Sequence, residues 1–272
     1  MLLGAVRSAE RLSMPRVAVA DPARTAAKKP PKQPDPPMTW ASLARLVLEV
    51  VAIWAVVHTL LLAGYRIPSG SMEPTLQTGD FLFVTPLPYG PHIPFTTWNL
   101  PGFSDPPRGK ISVYDSPPQH WTPATPFFDK DDSMLTVVKR IVATPGDTIY
   151  MRAGVLYVNG AESLPPVVPA PGPQQPGETS VAFEWQKNFT VTGSRFGPAP
   201  AVPTHDDWGP LLVPAGHYFS LGDNRYNSID ARYYGFIPRK NFRGRPLFIY
   251  FSFDVEDLRL RWRRLLQGLW NA

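Results

Sequence analysis

The sequence predicts a mainly β fold, in which an antiparallel β-sheet domain follows a single transmembrane helix. Three observations support this prediction. Residues 46–63 form an almost uninterrupted apolar run, short β-branched or aromatic runs follow it, and no helical periodicity recurs between about residues 66 and 255. The 272 residues of the chain are enough for one substantial domain with further segments at its ends.

Residues 1–39 are predicted to be a basic, disordered segment on the cytoplasmic side of a membrane. They carry seven lysines and arginines, and six prolines lie between residues 22 and 37. A proline-rich polar chain cannot bury enough apolar surface to offset the entropy lost on folding. The dense positive charge ahead of the apolar run also sets the expected topology, because positively charged segments stay in the cytoplasm.

Residues 40–65 are predicted to form the transmembrane helix. A spanning helix needs about 20 mostly apolar residues, and Trp40 and Tyr65 lie at the two ends, where aromatic side chains favour the interface. Glu49 and His58 are the polar exceptions. A buried helix of a soluble core remains an alternative. A cleavable signal peptide fits less well, because its apolar region is shorter and lies closer to the N-terminus.

Residues 66–254 are predicted to form a β-rich domain on the extracytoplasmic side. The strand-like runs are short and bounded by glycine, proline or aspartate, and they cover residues 80–84, 110–114, 135–142, 148–151, 155–158 and 247–251. Asn159-Gly160 is a typical two-residue hairpin turn. The proline-rich stretch at about 160–212 is interpreted as an insertion that adds β structure.

Residues 255–272 are predicted to form a basic amphipathic helix. Apolar residues recur there at helical spacing, with arginines between them: Leu258, Trp262, Leu265, Leu266 and Leu269. Such a helix could lie on an anionic membrane surface. It could equally dock on the core of its own domain, and the sequence does not separate the two.

The composition argues against several other classes of function. The chain has no cysteine, so it has no disulfide framework and no thiolate nucleophile or metal ligand. The central domain lacks a basic stripe interleaved with aromatics, which argues against nucleic acid as a partner. Neither a metal-ligand cluster nor a phosphate-binding loop is visible in the sequence, so no metal and no cofactor are expected.

The first motif that could carry chemistry is the string at residues 67–76, directly after the apolar run. It contains Ser69, Gly70 and Ser71 between Pro68 and Pro74. Glycine permits close backbone approach and proline stiffens the chain, so the string predicts a serine held rigidly near the membrane surface. It is not the nucleophile elbow of the α/β-hydrolases, because Ser69 and Glu73 stand at the two glycine positions.

The second motif is the strand-like run at residues 137–147, which carries Lys139 and Arg140 between apolar residues. Strand alternation puts these two side chains on opposite faces, so one of them should point toward a buried site. Burial lowers the pKa of a lysine and makes its neutral amine available as a base, whereas arginine stays protonated. A lysine at a sheet edge that reaches water is the alternative.

The third motif is the loop at residues 222–235, which is dense in turn residues and in paired charges such as Asp230 and Arg232. Aspartate and arginine at this spacing can form a fixed platform of ion pairs and hydrogen bonds. An ordinary polar loop is the alternative interpretation for this motif taken alone.

Together, and in this order, the three motifs resemble the bacterial type I signal peptidase (leader peptidase) family. The resemblance covers the apolar run and residues 67–251. It implies a membrane-bound serine endopeptidase on an all-β scaffold, which removes signal peptides from exported preproteins at the outer face of the bacterial cytoplasmic membrane. The implied partners are therefore preproteins with signal peptides and the phospholipid membrane.

The resemblance also implies roles for individual residues. By position, Ser71 matches the nucleophile and Lys139 the general base of a Ser-Lys dyad. Ser69 matches the serine whose hydroxyl joins the Ser71 backbone N–H in the oxyanion hole, and Ser228 the serine that orients the base. The supporting charges of the family match Asp223, Arg225, Asp230 and Arg232. Its pockets for small side chains are lined at the positions of Ile67 and Val138.

Three positions depart from the pattern of the family. Tyr226 stands where an aspartate is usual, Ala231 where a serine is usual, and Lys110 where the usual string before a strand ends in aspartate. These changes affect the supporting network and leave Ser71 and Lys139 in place.

Three alternative functions stay open at this point. One is a Ser-His-Asp protease using His92, His205 or His217, although no spacing favours it. Another is a Ser-Lys peptidase dedicated to one secreted substrate, of the conjugation-pilin type, which would share all the motifs. The third is a non-catalytic membrane-anchored β-domain that binds exported chains.

Overall fold

A computed structural model describes residues 39–57, 61–91, 93, 98–117, 135–163, 180–193, 195–254, 256–270 and 272. The chain divides into two compact units, residues 1–45 and residues 46–272. The predicted disordered segment lies outside the described residues except for Thr39, and so do His58, His92 and residues 164–179 of the proline-rich insertion.

Helix α1 spans Trp40–Val56, and none of its side chains is buried. Within the described part of the chain, no helix combines the length and the apolar character needed to cross a bilayer. The prediction of one helix through Tyr65 is wrong at its C-terminal end. Residues Ala63–Arg66 form strand β1 instead, because their backbone pairs antiparallel with residues 81–84.

The larger sheet contains eight of the strands found among the described residues, in the order β1-β2-β11-β3-β4-β9-β10, with β12 paired to β11. All its pairings are antiparallel. Besides β1, its members are β2 (Asp80–Thr85), β3 (Ile111–Asp115), β4 (Thr136–Ala143), β9 (His217–Leu221), β10 (Ile237–Pro238), β11 (Phe242–Asp254) and β12 (Arg259–Leu260). The mainly antiparallel β fold expected from the sequence is therefore confirmed.

The smaller sheet holds four of the described strands in the order β7-β6-β5-β8. They are β5 (Thr148–Arg152), β6 (Val155–Val158), β7 (Ala161–Glu162) and β8 (Trp208–Leu212). The predicted hairpin turn at Asn159-Gly160 is confirmed, since both residues have positive φ and Val158 pairs with Ala161 across them. Strands β7 and β8 lie within the range predicted for the insertion.

Two apolar clusters stabilise the fold. One lies around β2 and includes Ile67, Met72, Leu76, Leu82, Val84 and Ile249. It forms because alternate residues of β2 point inward. The other lies where the two sheets meet and includes Ile141, Ile149, Met151, Trp208, Phe219 and Phe242. Strand β4 contributes to both clusters through Val138 and Ile141, and this position fixes Lys139 between them.

The predicted amphipathic helix at the C-terminus is wrong. Residues 259–260 form β12, a 3-10 turn covers Trp262–Arg264, and the φ angles of Leu258 and Leu266 are +53° and +59°, which a right-handed helix does not allow. Side-chain contacts account for this path. Arg264 binds the buried carboxylate of Asp80, and Leu269 packs into the cluster around β2.

Candidate active site

The loop between β1 and β2 carries Ser71 in a 3-10 turn, Gly70–Met72. Met72 anchors the turn, because its side chain is almost completely buried in the cluster around β2. Ile67, just before the loop, belongs to the same cluster, and Val138 packs against it from β4. The two residues expected to line a substrate pocket therefore lie on one apolar patch beside the turn that holds Ser71.

Lys139 lies on β4 and points toward this turn. Its Nζ atom is 2.5 Å from Ser71 Oγ, and only 4% of the residue is exposed. Burial lowers the pKa of the Lys139 amine to about 8; the carboxylate of Asp230 opposes this shift and the guanidinium of Arg232 adds to it. An amine with this pKa is substantially neutral in mildly alkaline solution, so it can accept a proton from the hydroxyl beside it.

Arg140 follows Lys139 on the strand and binds Asp223. Its Nε and Nη2 atoms donate to the two carboxylate oxygens at 2.8 and 2.7 Å, and Nη1 donates to the Gly109 carbonyl at 2.7 Å. A bidentate pair of this kind fixes both partners. Arg140 has no role among the predictions from sequence, although its place next to Lys139 on an apolar strand was a usable signal.

The loop at residues 222–225 is tied directly to the loop of Ser71. The Asn224 backbone N–H donates to the Ser71 carbonyl at 3.1 Å, and its side-chain amide donates to the Gly70 carbonyl at 3.1 Å. The Thr75 hydroxyl donates to Asp223 at 2.6 Å. Asn224 and Thr75 were not among the residues selected from the sequence, because nothing in their spacing reveals contacts across about 150 residues of chain.

Asp230 and Arg232 form a fully buried ion pair behind Lys139. Arg232 Nε donates to one Asp230 oxygen at 2.8 Å and Nη2 to the other at 2.9 Å, and the Gly222 backbone N–H donates to Asp230 at 3.0 Å. Burial raises the pKa of Asp230, but the charge and hydrogen bonds of Arg232 outweigh it and hold that pKa below its ordinary value. The pair therefore stays ionised beside the lysine.

The model for the family "Signal peptidase, peptidase S26" matches residues 40–251 of this chain. The chain belongs to this family. The match includes all three motifs, and it establishes the protein as a peptidase.

Named relatives agree with the family match. Signal peptidase I of Pseudomonas aeruginosa is 30% identical over 221 residues, which cover 75% of this chain and 69% of the relative. Signal peptidase I of Pseudomonas fluorescens is 31% identical and the alignment covers 77% and 72% of the two chains. The probable signal peptidase I-2 of Synechocystis is also 31% identical, with 79% and 74% covered.

Three predicted residues of this signal peptidase lie at the site without the contacts expected of them. Ser69 is exposed and makes no capping hydrogen bond to the 3-10 turn. Ser228 Oγ is buried and has no hydrogen-bond partner among the described residues, so its bond to Lys139 stays a prediction. Arg225 donates to the Gly222 carbonyl at 3.0 Å, and burial lowers its pKa to about 10.

The departures from the family pattern are accommodated locally. Tyr226 stacks on His205 with ring centroids 5.1 Å apart. Ala231 is completely buried at the start of the short helix α2 (Ala231–Tyr234), where a larger polar group would need a partner. The Lys110 carbonyl accepts a hydrogen bond from the Ile141 amide at 2.9 Å, so its backbone extends the pairing of β3 with β4.

The histidines do not support a Ser-His-Asp arrangement. His205 contacts Asp206, Arg225 and Arg232, and His217 Nδ1 lies 2.9 Å from the Ala215 carbonyl. Neither makes a hydrogen bond with Ser71. Among the described residues, no three histidine, cysteine or acidic side chains converge in a way that could hold a metal ion.

Proposed function

We propose that this signal peptidase cleaves signal peptides from exported preproteins with Ser71 as nucleophile and Lys139 as general base. The observation that supports it most directly is the distance of 2.5 Å between Lys139 Nζ and Ser71 Oγ, at a lysine whose pKa burial lowers to about 8. A serine hydroxyl is a weak nucleophile until an adjacent base accepts its proton, and a Ser-Lys pair is one of the convergent solutions to that requirement.

The proposed reaction has two halves. The neutral amine of Lys139 accepts the hydroxyl proton while Ser71 Oγ attacks the scissile carbonyl carbon. The resulting ammonium then donates that proton to the leaving amine as the peptide bond breaks. A water molecule, deprotonated by the same amine, attacks the acyl-enzyme ester, and the proton returns to Ser71 as the ester bond breaks.

The oxyanion that forms in each half needs hydrogen-bond donors. The Ser71 backbone N–H lies in the first turn of a 3-10 helix, where amide groups have no acceptor within the turn. The Ser69 hydroxyl is exposed two residues earlier in the same loop. Each such donor contributes about 2.7–4 kcal/mol to lowering the barrier in other proteases. We assign both groups to the oxyanion hole.

The remaining predicted residues fall into supporting roles in this proposal. Ser228 orients the base, and the ion pairs of Asp223 and Asp230 with arginine hold the loops around it. Ile67 and Val138, which belong to one apolar cluster beside Ser71, are assigned to the pocket for small side chains.

We also propose that residues from Trp40 onward anchor the enzyme as a single pass in the bacterial cytoplasmic membrane, with the N-terminus inside. Large apolar side chains of α1 are exposed, among them Leu48 at 69% and Ile53 at 64%. Apolar side chains exposed along a helix are suited to contact with lipid. The positive charge before Trp40 sets the direction.

A cleavage assay on the full chain in detergent tests the proposed dyad. Ser71→Ala and Lys139→Met should each reduce cleavage of a model preprotein to background, because each removes one partner of the proton transfer. Lys240→Met is the matched control, since Lys240 is exposed and should keep wild-type turnover. Turnover in purified, folded Lys139→Met would refute the general base. Cleavage of only one of several unrelated preproteins would favour a dedicated peptidase instead.

A further inference from the structure

His205 is a buried histidine to which the proposed mechanism assigns no role. It lies in the loop before β8 and is 2% exposed. Its Nδ1 atom is 2.6 Å from Asp206 Oδ1, and its Nε2 atom contacts Arg232 Nη1 and lies 2.9 Å from the Arg225 carbonyl. The ring of Tyr226 stacks on it at an interplanar angle of 29°.

These contacts determine which nitrogen carries the proton. The Asp206 carboxylate can only accept, so Nδ1 donates to it. The Arg232 guanidinium can only donate, so Nε2 accepts from it. The Arg225 carbonyl near Nε2 receives its hydrogen bond from Arg232 Nη2 at 2.7 Å. His205 Nε2 therefore serves as a hydrogen-bond acceptor for Arg232.

Arg232 uses this acceptor for one of its buried N–H groups. The side chain is completely buried, its Nε and Nη2 atoms donate to Asp230, and Nη1 donates to His205. Removing an acceptor from a buried donor is costly, so loss of the imidazole nitrogen would favour movement of the guanidinium away from its present pose. Asp230 would then lose part of the pairing that compensates its charge.

Asp206 and Tyr226 hold the imidazole in place. Tyr226 hydrogen-bonds Asp206 through its side chain, and the Asp206 carbonyl accepts from the Gly154 amide at 3.0 Å, in the turn between β5 and β6. The His205 cluster, defined as His205, Asp206 and Tyr226, thereby connects the smaller sheet to the Asp230–Arg232 pair. The ring of Tyr226 also stacks on the histidine.

We propose that the His205 cluster is a positioning element of this peptidase: His205 holds Arg232, Arg232 holds Asp230, and Asp230 fixes both the loop at Gly222 and the charge beside Lys139. This inference rests on the proposed Ser71–Lys139 dyad. The cluster touches neither Ser71 nor Lys139, and its effect reaches them through the contact of Asp230 with Gly222 and through Asn224, which donates to the Gly70 and Ser71 carbonyls.

Two substitutions of similar size separate positioning from packing. His205→Gln keeps an acceptor near Nε2, whereas His205→Met fills the space without one. In the full chain, we expect His205→Met to lower kcat on a preprotein at least about tenfold, because small displacements of catalytic groups cost this much, with KM changed less than twofold. We expect His205→Gln to keep kcat within about threefold of wild type, as an acceptor for Arg232 remains.

The pH profile gives a second readout that a packing defect would not change. Lys139 is influenced by Asp230, Arg232 and Asp223. If Arg232 loosens from Asp230, the less compensated carboxylate raises the pKa of Lys139. The acid limb of kcat/KM should therefore move to higher pH in His205→Met and stay in place in His205→Gln. Circular dichroism and thermal unfolding of each variant check that it is folded.

Each outcome decides the proposal. The proposal would be overturned if His205→Met had the same kcat as wild type. It would also be overturned if His205→Met and His205→Gln lost kcat equally. If His205→Met does not fold, Asp206→Ala takes its place, since Asp206 is only half-buried; unchanged kcat and pH profile there would also overturn it. Failure of the proposed dyad would look different, because wild type would then not cleave the preprotein or Lys139→Met would remain active.

Discussion

Lys139 has the two properties that a general base for serine requires at the scale of a single residue. Its Nζ atom is within hydrogen-bond distance of Ser71 Oγ, and its burial favours the neutral amine. The sequence could predict that a lysine on an apolar strand is buried, because alternation puts Lys139 and Arg140 on opposite faces. It could not predict that Arg140 is buried too, since this depends on its pairing with Asp223, 83 residues away.

In the proposed mechanism, the pH dependence of cleavage follows from the pKa of Lys139. A general base is active when unprotonated, and the pKa of Lys139 is lowered to about 8. We therefore expect kcat/KM to rise with pH about tenfold per unit on the acid side and to level off above about pH 8. Steady-state cleavage of a soluble preprotein between pH 6 and 9 measures this. A flat profile over that interval would contradict the role of Lys139 as base.

At the scale of elements, the site forms where two loops meet over one strand. The loop of Ser71 and the loop at residues 222–225 meet over β4, and Asn224 and Thr75 provide the contacts between them. Six of the strands among the described residues were predictable because β-branched and aromatic runs end at turn residues, and β6 spans the predicted 155–158. The contacts between the two loops could not be predicted, because the spacing of residues does not indicate which backbone carbonyls of a turn accept hydrogen bonds.

Gly222 lies at a close approach of these two loops. A Cβ atom there would lie 2.2 Å from Ser228 Oγ and 2.5 Å from the Ser71 carbonyl oxygen. Gly222→Ala must therefore push the two loops apart, and we expect kcat to fall by about 100-fold, the cost of a displacement of roughly 1 Å at a catalytic group. The cleavage assay of the purified variant measures this loss.

Gly64→Ala is the matched control for this substitution. A Cβ at Gly64 would meet only the Tyr250 hydroxyl, at an ordinary 3.6 Å. Its turnover should equal that of wild type. If Gly222→Ala were as active as Gly64→Ala, close approach of the two loops would not be a requirement of the site.

At the scale of the whole molecule, the tail completes the fold in a way that local pattern could not predict. Its apolar residues have helical spacing, yet Arg264 binds Asp80 across 184 residues and donates to the Thr75 carbonyl at 3.0 Å, in the loop that carries Ser71. These ion pairs and the burial of Leu269 outweigh the local helical preference. The sequence indicated the fold class and the three motifs; tertiary pairing decided the path of the tail and the surroundings of Lys139.

Formation of a covalent acyl-enzyme on Ser71 tests the central proposal most directly. A preprotein is mixed with the full-length enzyme, the reaction is quenched with acid within one turnover, and the digested enzyme is analysed by mass spectrometry. We predict an acyl adduct on the peptide that contains Ser71, and none in Lys139→Met. An adduct at another residue, or one that forms on Ser71 equally fast without Lys139, would contradict the proposed dyad.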